Sequence, residues 1–115
     1  RGRASVGQMK LRPEVTVRLA REPVDFRKQI DGLAMVVGRS LGRDPMCGEL
    51  FVFHNRRRTA LKALYWTPNG FVLLYKRLER HGFKLPVLPE TATDAEVSTE
   101  ALQALLDGFT TRLSI

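Results

Sequence analysis

Four residues, Thr67, Pro68, Asn69 and Gly70, most narrow what this chain can fold into. Proline presets φ at the first turn position, and glycine can enter the left-handed region. The spacing therefore predicts a hairpin closed by a three-residue loop with a bulge. Strand-like runs flank it at residues 59–66 and 71–78. A third run, residues 50–54, precedes them across the short link Asn55, Arg56, Arg57 and Arg58. Three such runs in succession read as an antiparallel meander. Pairing across the loop sets Thr67 opposite Phe71, Lys62 opposite Lys76 and Arg58 opposite Arg80.

Upstream, residues 15–19 alternate branched and polar side chains and predict a short strand that ends before Pro23. Asp25 is placed to cap a helix whose apolar face is Phe26, Ile30, Leu33, Val37 and Leu41, with Gly42 to end it. Gly32 would let that helix approach a sheet closely. Residues 43–48 are turn-rich, and the chain leaves the meander after Phe83 through Pro86, Pro89 and a loose polar stretch, residues 91–99. Ser98 precedes a final helix with Leu102, Leu105, Leu106 and Phe109 on one face and Gly108 near its end. The expected class is α+β: an antiparallel sheet of three to four strands with two helices, in the order β-α-β-β-β-α. Residues 9–115 form one domain behind a possible leader, residues 1–8, because Met9 and Lys10 look like a natural start.

Both faces of the meander are apolar, with Leu64, Trp66, Val72 and Leu74 on one and Leu61, Ala63, Tyr65 and Leu73 on the other. Such a sheet wants cover on both sides. The first helix can cover one face; the C-terminal helix or a second subunit must cover the other, so a homodimer is expected. Tyr65, Trp66, Phe71, Tyr75 and Phe83 could stack on bases, but aromatic residues in strands more often fill a core.

Charge is distributed unevenly. The formal net charge is +7, and residues 50–84 hold eight basic side chains, Arg56, Arg57, Arg58, Lys62, Lys76, Arg77, Arg80 and Lys84, against the single acid Glu79. Residues 85–115 hold Arg112 against Glu90, Asp94, Glu96, Glu100 and Asp107. In a meander the first loop lies where the third strand finishes, so the basic groups meet at one rim. Like charges opposed across a sheet are destabilising, which suggests that they are kept for an anionic ligand, DNA first. The plainer alternative is long side chains splayed into water at a loop tip. The acidic region, residues 90–115, is a further possible partner for the rim.

Other chemistries lack their residues. Metal sites need clustered ligands, and Cys47, His54 and His81 have no such spacing; both histidines read as surface residues. Neither a glycine-rich phosphate loop nor a catalytic triad has recognisable context. No enzyme activity, cofactor or metal is expected. No apolar run exceeds the five of residues 33–37, far short of the roughly 20 residues of a membrane span. The lone Cys47 excludes an internal disulfide and suits a reducing cytoplasm.

Leu50, Phe51, Val52, Phe53, His54 and Asn55 running into the three arginines, then Leu61 to Trp66, Asn69, Gly70 and Phe71, and Tyr75 to Glu79, together carry a family resemblance. With Val24 to Lys28, Asp31 to Leu33, Phe83, Pro86 and Leu105 to Gly108, the chain resembles the TnpB-type, second-reading-frame accessory proteins of the bacterial insertion-sequence sixty-six family. It departs from that pattern at Thr59 and Thr67, where acids are common, and at Leu85, where tryptophan is frequent. The resemblance implies a bacterial, cytoplasmic, non-catalytic accessory factor of transposition that acts beside a separate transposase. Two mechanisms fit: DNA binding through the rim, or a protein–protein adaptor that holds the transposase or another element-encoded protein.

Overall fold

The computed structural model describes residues 14–107. Its elements are strand β1 (Val17–Ala20), helix α1 (Ile30–Met35) with a π-helical turn (Val36–Ser40), strands β2 (Leu50–His54), β3 (Ala60–Thr67), β4 (Gly70–Arg77) and β5 (Asp94–Val97), and helix α2 (Thr99–Leu106). They form an α+β fold with one five-stranded sheet in the order β4-β3-β2-β1-β5. The meander stands as its antiparallel β2-β3-β4 half.

Two features depart from the expected antiparallel sheet. Strand β1 pairs parallel to β2, with Val17 beside Leu50, because the crossover through α1 returns the chain to the same end of the sheet. The stretch read as loose and polar contains β5, antiparallel to β1. Asp94 and Glu96 disguised that strand. Buried Asp94 accepts from Arg43 Nε at 3.1 Å and lies 3.5 Å from Arg18 Nη1, while Arg18 Nε donates to Glu49 at 2.9 Å. Paired in this way, a carboxylate can occupy a strand that covers a sheet edge.

The hairpin differs by one residue. Thr67 faces Gly70 across a two-residue loop, so Lys62 pairs with Tyr75, Leu61 with Lys76 and Ala60 with Arg77. Gly70 is not among the residues with positive φ, and the bulge that would have added a residue is absent from this turn. A one-residue slip exchanges the faces of a strand. Leu73 and Phe71 therefore join Leu64, whereas Leu74 joins Leu61, Ala63 and Tyr65.

Each face has its cover. On one, Leu33 and Val37 pack on Ala20, Phe51, Phe53 and Leu64. On the other, Leu102 and Leu105 of α2, together with Phe83 and Leu85, close over Val17, Leu19, Leu50, Val52, Leu61 and Ala63. Burying one such side chain stabilises by roughly 1.5–3 kcal/mol. Ser98 caps α2 by accepting from the N–H of Ala101 at 3.0 Å. The predicted end residue Gly108 and face position Phe109 lie outside the described residues, as do the possible leader and Met9.

The first helix is shorter than its periodicity predicts. Asp25 does not cap it. Its carboxylate accepts from the N–H of Arg27 at 2.9 Å and its carbonyl from the N–H of Lys28 at 3.0 Å, closing a turn ahead of the helix. The Lys62 ammonium donates to the carbonyls of Phe26 and Lys28, at 3.0 and 2.7 Å, in place of helical N–H groups. Helix α1 begins only at Ile30, and Gln29 at its N-cap supplies no side-chain bond. At the far end Leu41 N–H reaches Val36, and Gly42, at φ +66°, turns the chain out as predicted. Gly32 faces the Lys28 side chain, 3.1 Å from an added Cβ, rather than the sheet.

The turn at Asp25 carries a pH signature. Hydrogen bonds from the Arg27 side chain, then from its backbone N–H, pull the Asp25 carboxyl down to about 2 from its usual 3.8. A lowered carboxyl favours the fold above the ordinary value and loses that contribution as pH falls through the lowered one. Carboxyl chemical shifts followed by NMR should place the Asp25 midpoint near 2, and Arg27→Ala should return it towards 3.8. An unchanged midpoint in that variant would contradict the pairing.

Candidate nucleic-acid interface

The rim is built by two crossing segments. In the β2–β3 loop, Asn55 Oδ1 accepts from the N–H groups of Thr59 and Ala60 at 2.8 and 3.1 Å, and its Nδ2 donates to Thr59 Oγ1 at 2.8 Å. These bonds staple the loop and hold Arg56, Arg57 and Arg58 outward, all exposed. The chain leaving β4 then crosses this loop. Leu78 N–H donates to Thr59 at 2.8 Å and Phe83 N–H to Arg58 at 2.6 Å. Arg77, Arg80 and Lys84 are thereby carried to the same end of the sheet, and all three are exposed. Lys84 faces out because its neighbours Phe83 and Leu85 are both buried.

The crossing point is strained. Arg58 and His81 both have positive φ, 61° and 63°, a region that costs most residues about 1 kcal/mol or more. At Gly82 an added Cβ would lie 2.9 Å from the Arg58 carbonyl, so a side chain there would push the two segments apart. Strain of this kind persists where surrounding structure over-determines it, and it gathers at functional sites.

Among the described residues, Arg56, Arg57, Arg58, Lys76, Arg80 and Lys84 have no ion pair, whereas Arg77 holds Glu79, the one acid of the basic segment, at 2.9 Å. Lys76 is exposed on β4 beside Leu61, so no two like charges oppose each other there. The acids of β5 do not reach the rim: Asp94 is committed to Arg18 and Arg43.

Lys62 belongs elsewhere. It is only 3% exposed, its ammonium sits 5.1 Å from the Phe26 ring centre and 5.4 Å from that of Tyr75, and burial lowers its pKa. By the alternation of β3 it shares the face of Leu64, and the segment leading into α1 covers that face and takes the ammonium away from the rim. His54, expected at the surface, is 4% exposed, with Nε2 3.2 Å from the Arg21 carbonyl and Nδ1 3.3 Å from that of Asn55. Parallel pairing with β1 buries it. The same pairing brings the backbone of residues 19–23 against the loop, and a groove of about 310 Å³ opens there, lined by Arg21, Arg56, Arg58, Pro86 and Val87. Sequence reasoning missed this groove and the staple by Asn55. An asparagine four residues before a threonine across a short loop is a signal for the latter; the former had none.

Among the aromatic residues, Phe83 is buried and Trp66 meets Phe71 edge-on at 4.9 Å, so both act as packing groups. Among the described residues no group of three or more His, Cys, Asp or Glu side chains could hold a metal ion, and no helix is long and apolar enough to cross a membrane.

Residues 15–114 match the family model described as IS66 Orf2 like protein. The chain belongs to the IS66 Orf2-like family. It is similar to the uncharacterized protein y4jC of Sinorhizobium fredii, 37% identical over 93 residues, which cover 81% of this chain and 78% of the relative. The uncharacterized protein y4hO of the same organism is 34% identical over 95 residues, 83% of this chain and 81% of the relative. No solved structure matches. Family membership identifies an accessory protein of the IS66 insertion sequence, and the match covers every element of the described fold, rim included.

Proposed function

We propose that this IS66 Orf2-like protein is a non-catalytic, cytoplasmic DNA-binding factor that contacts phosphates through Arg56, Arg57, Arg58, Lys76, Arg80 and Lys84. The observation that carries this reading is six exposed basic side chains at one end of a sheet with no ion pair among the described residues. A cationic cluster left unneutralised by the described residues retains its attraction for an external polyanion. Arg77 stands in the same cluster with its charge partly spent on Glu79. Phosphate contact without base readout gives affinity, salt dependence and little sequence preference.

A second reading has its own support. The groove between Arg56, Arg58 and the apolar wall of Leu85, Pro86 and Val87 would suit an acidic peptide with an apolar anchor, such as a segment of the transposase. Val87, at 97% exposure, is an unburied apolar side chain at that wall. Binding to element-end DNA and to random DNA, titrated with salt and repeated with nuclease-treated transposase, separates the two. Steep salt dependence on both DNAs supports phosphate contact. Negligible DNA affinity with retained transposase capture would overturn it in favour of the adaptor.

A further inference from the structure

The two edges of the sheet are unlike. Strand β5 closes one edge with four residues that include Asp94 and Glu96, short and charged as exposed edges usually are. The other edge is β4, eight residues long, and from Gly70 to Tyr75 it carries no charge, no proline and no paired outer neighbour among the described residues. Its main-chain groups can be assigned by parity. Leu78 N–H continues the ladder to Thr59, so Val72, Leu74 and Lys76 bond towards β3. Phe71, Leu73, Tyr75 and Arg77 therefore aim their N–H and C=O groups outward. The side chains agree: Phe71, Val72, Leu73 and Leu74 are only half-buried, and Tyr75 is 58% exposed. Five apolar side chains in succession, on both faces, lack the neighbour that a further strand would bring.

We propose that β4 pairs antiparallel with β4 of a second copy of this chain, centred on Leu74, to give a continuous ten-stranded sheet. This register joins the outward main-chain groups of both copies. It sets Leu74 against the partner's Leu74, Leu73 against the partner's Tyr75, Val72 against the partner's Lys76 and Phe71 against the partner's Arg77. No like charges oppose one another, and Arg77 meets an aromatic ring. The sequence of β4 is thus complementary to itself, which favours a second copy over an unrelated strand. Two-fold pairing also closes on itself, leaving only the short acidic β5 at each end. Chains of net charge +7 would repel if their basic rims met. Antiparallel pairing places the rims at opposite ends of the shared strands, about 20 Å apart along them. The dimer does not depend on what the rims bind.

Light scattering across a dilution series is expected to give twice the mass of one chain, falling to the monomer on dilution. Hydrogen exchange should protect the amides of Phe71, Leu73 and Tyr75, which have no acceptor among the described residues, in step with dimer concentration. Leu73→Pro removes an outward donor without breaking a bond to β3 and should yield a folded monomer. Two milder variants test the register against the partner's Lys76: Val72→Lys should weaken the dimer and Val72→Glu should not, with dissociation constants roughly tenfold apart. A wild-type chain that stays monomeric throughout would overturn the proposal. So would a dimer unaffected by all three variants, or protection of these amides only when an extended transposase peptide is added.

Discussion

Replacing Arg56 and Arg57 with glutamate and Arg58 with glycine is expected to leave a folded protein that no longer holds DNA. These side chains are exposed, and the loop that carries them is stapled by Asn55, Thr59 and Ala60 rather than by the arginines themselves. Each lost phosphate contact should reduce the slope of log affinity against log salt by about 0.9, so by about 3 for three contacts, with roughly a hundredfold or greater loss at low salt. Arg58→Gly alone is the sharper case. At φ 61° glycine is at ease where arginine is strained, so this variant should gain about 1 kcal/mol of stability while losing DNA affinity. Thermal melts and salt-titrated binding on the same samples read both effects. Wild-type affinity in the triple variant, or a flat salt dependence in the wild type, would sink the phosphate model.

Lys62→Met should do the opposite: cost the fold about 2–3 kcal/mol and leave DNA binding intact. The ammonium is the shared donor to the carbonyls of Phe26 and Lys28, and through them it fixes where α1 starts. Methionine fills the space but leaves two carbonyls without that partner. Burial lowers the Lys62 pKa, so in the alkaline range below 10.5 the folded chain sheds this proton before the unfolded chain does. Over that window the unfolded state binds more protons and stability rises with pH. Denaturant melts at a series of alkaline pH values should show this increment in the wild type and not in Lys62→Met. A variant as stable as wild type but defective in DNA binding would return Lys62 to the rim.

How far the sequence reached follows from the range of each interaction. Local turn chemistry located the meander: strand β2 runs over Leu50–His54 as predicted, and Gly42 and Ser98 bound their helices as expected. The same chemistry was ambiguous by one residue at Pro68 and Asn69. That residue exchanged the faces of Leu73 and Leu74, because side chains alternate across a strand. Lys62 was misread for another reason: the segment before α1 folds over its face, a distant contact. The clustering of Arg56, Arg57, Arg58, Arg77 and Arg80 survived the slip, since it depends on which end of a strand they occupy. Parallel pairing of β1 with β2, and antiparallel pairing of β5 with β1, leave no local mark. Nothing near Val17 says that Leu50 and Val97 are its neighbours. The burial of His54 and the groove beside Arg56 depend on those distant pairings, and so were illegible.

The placement of β1 between β2 and β5 also sets an order in time. Strands β2, β3 and β4 are joined by short loops and can pair as soon as they exist, since near contacts close fastest. Strand β1 is made before all of them, yet its outer partner β5 is made last but for α2. During synthesis β1 must wait, with an open edge, for the acidic segment that finally seals it. Pulse-labelled hydrogen exchange during refolding should accordingly protect amides of β3 and β4 before those that join β1 to β5; simultaneous protection would argue against this order. The basic rim is thus built on the earliest part of the sheet to assemble, while β1, made before the rest of that sheet, is the last to be enclosed.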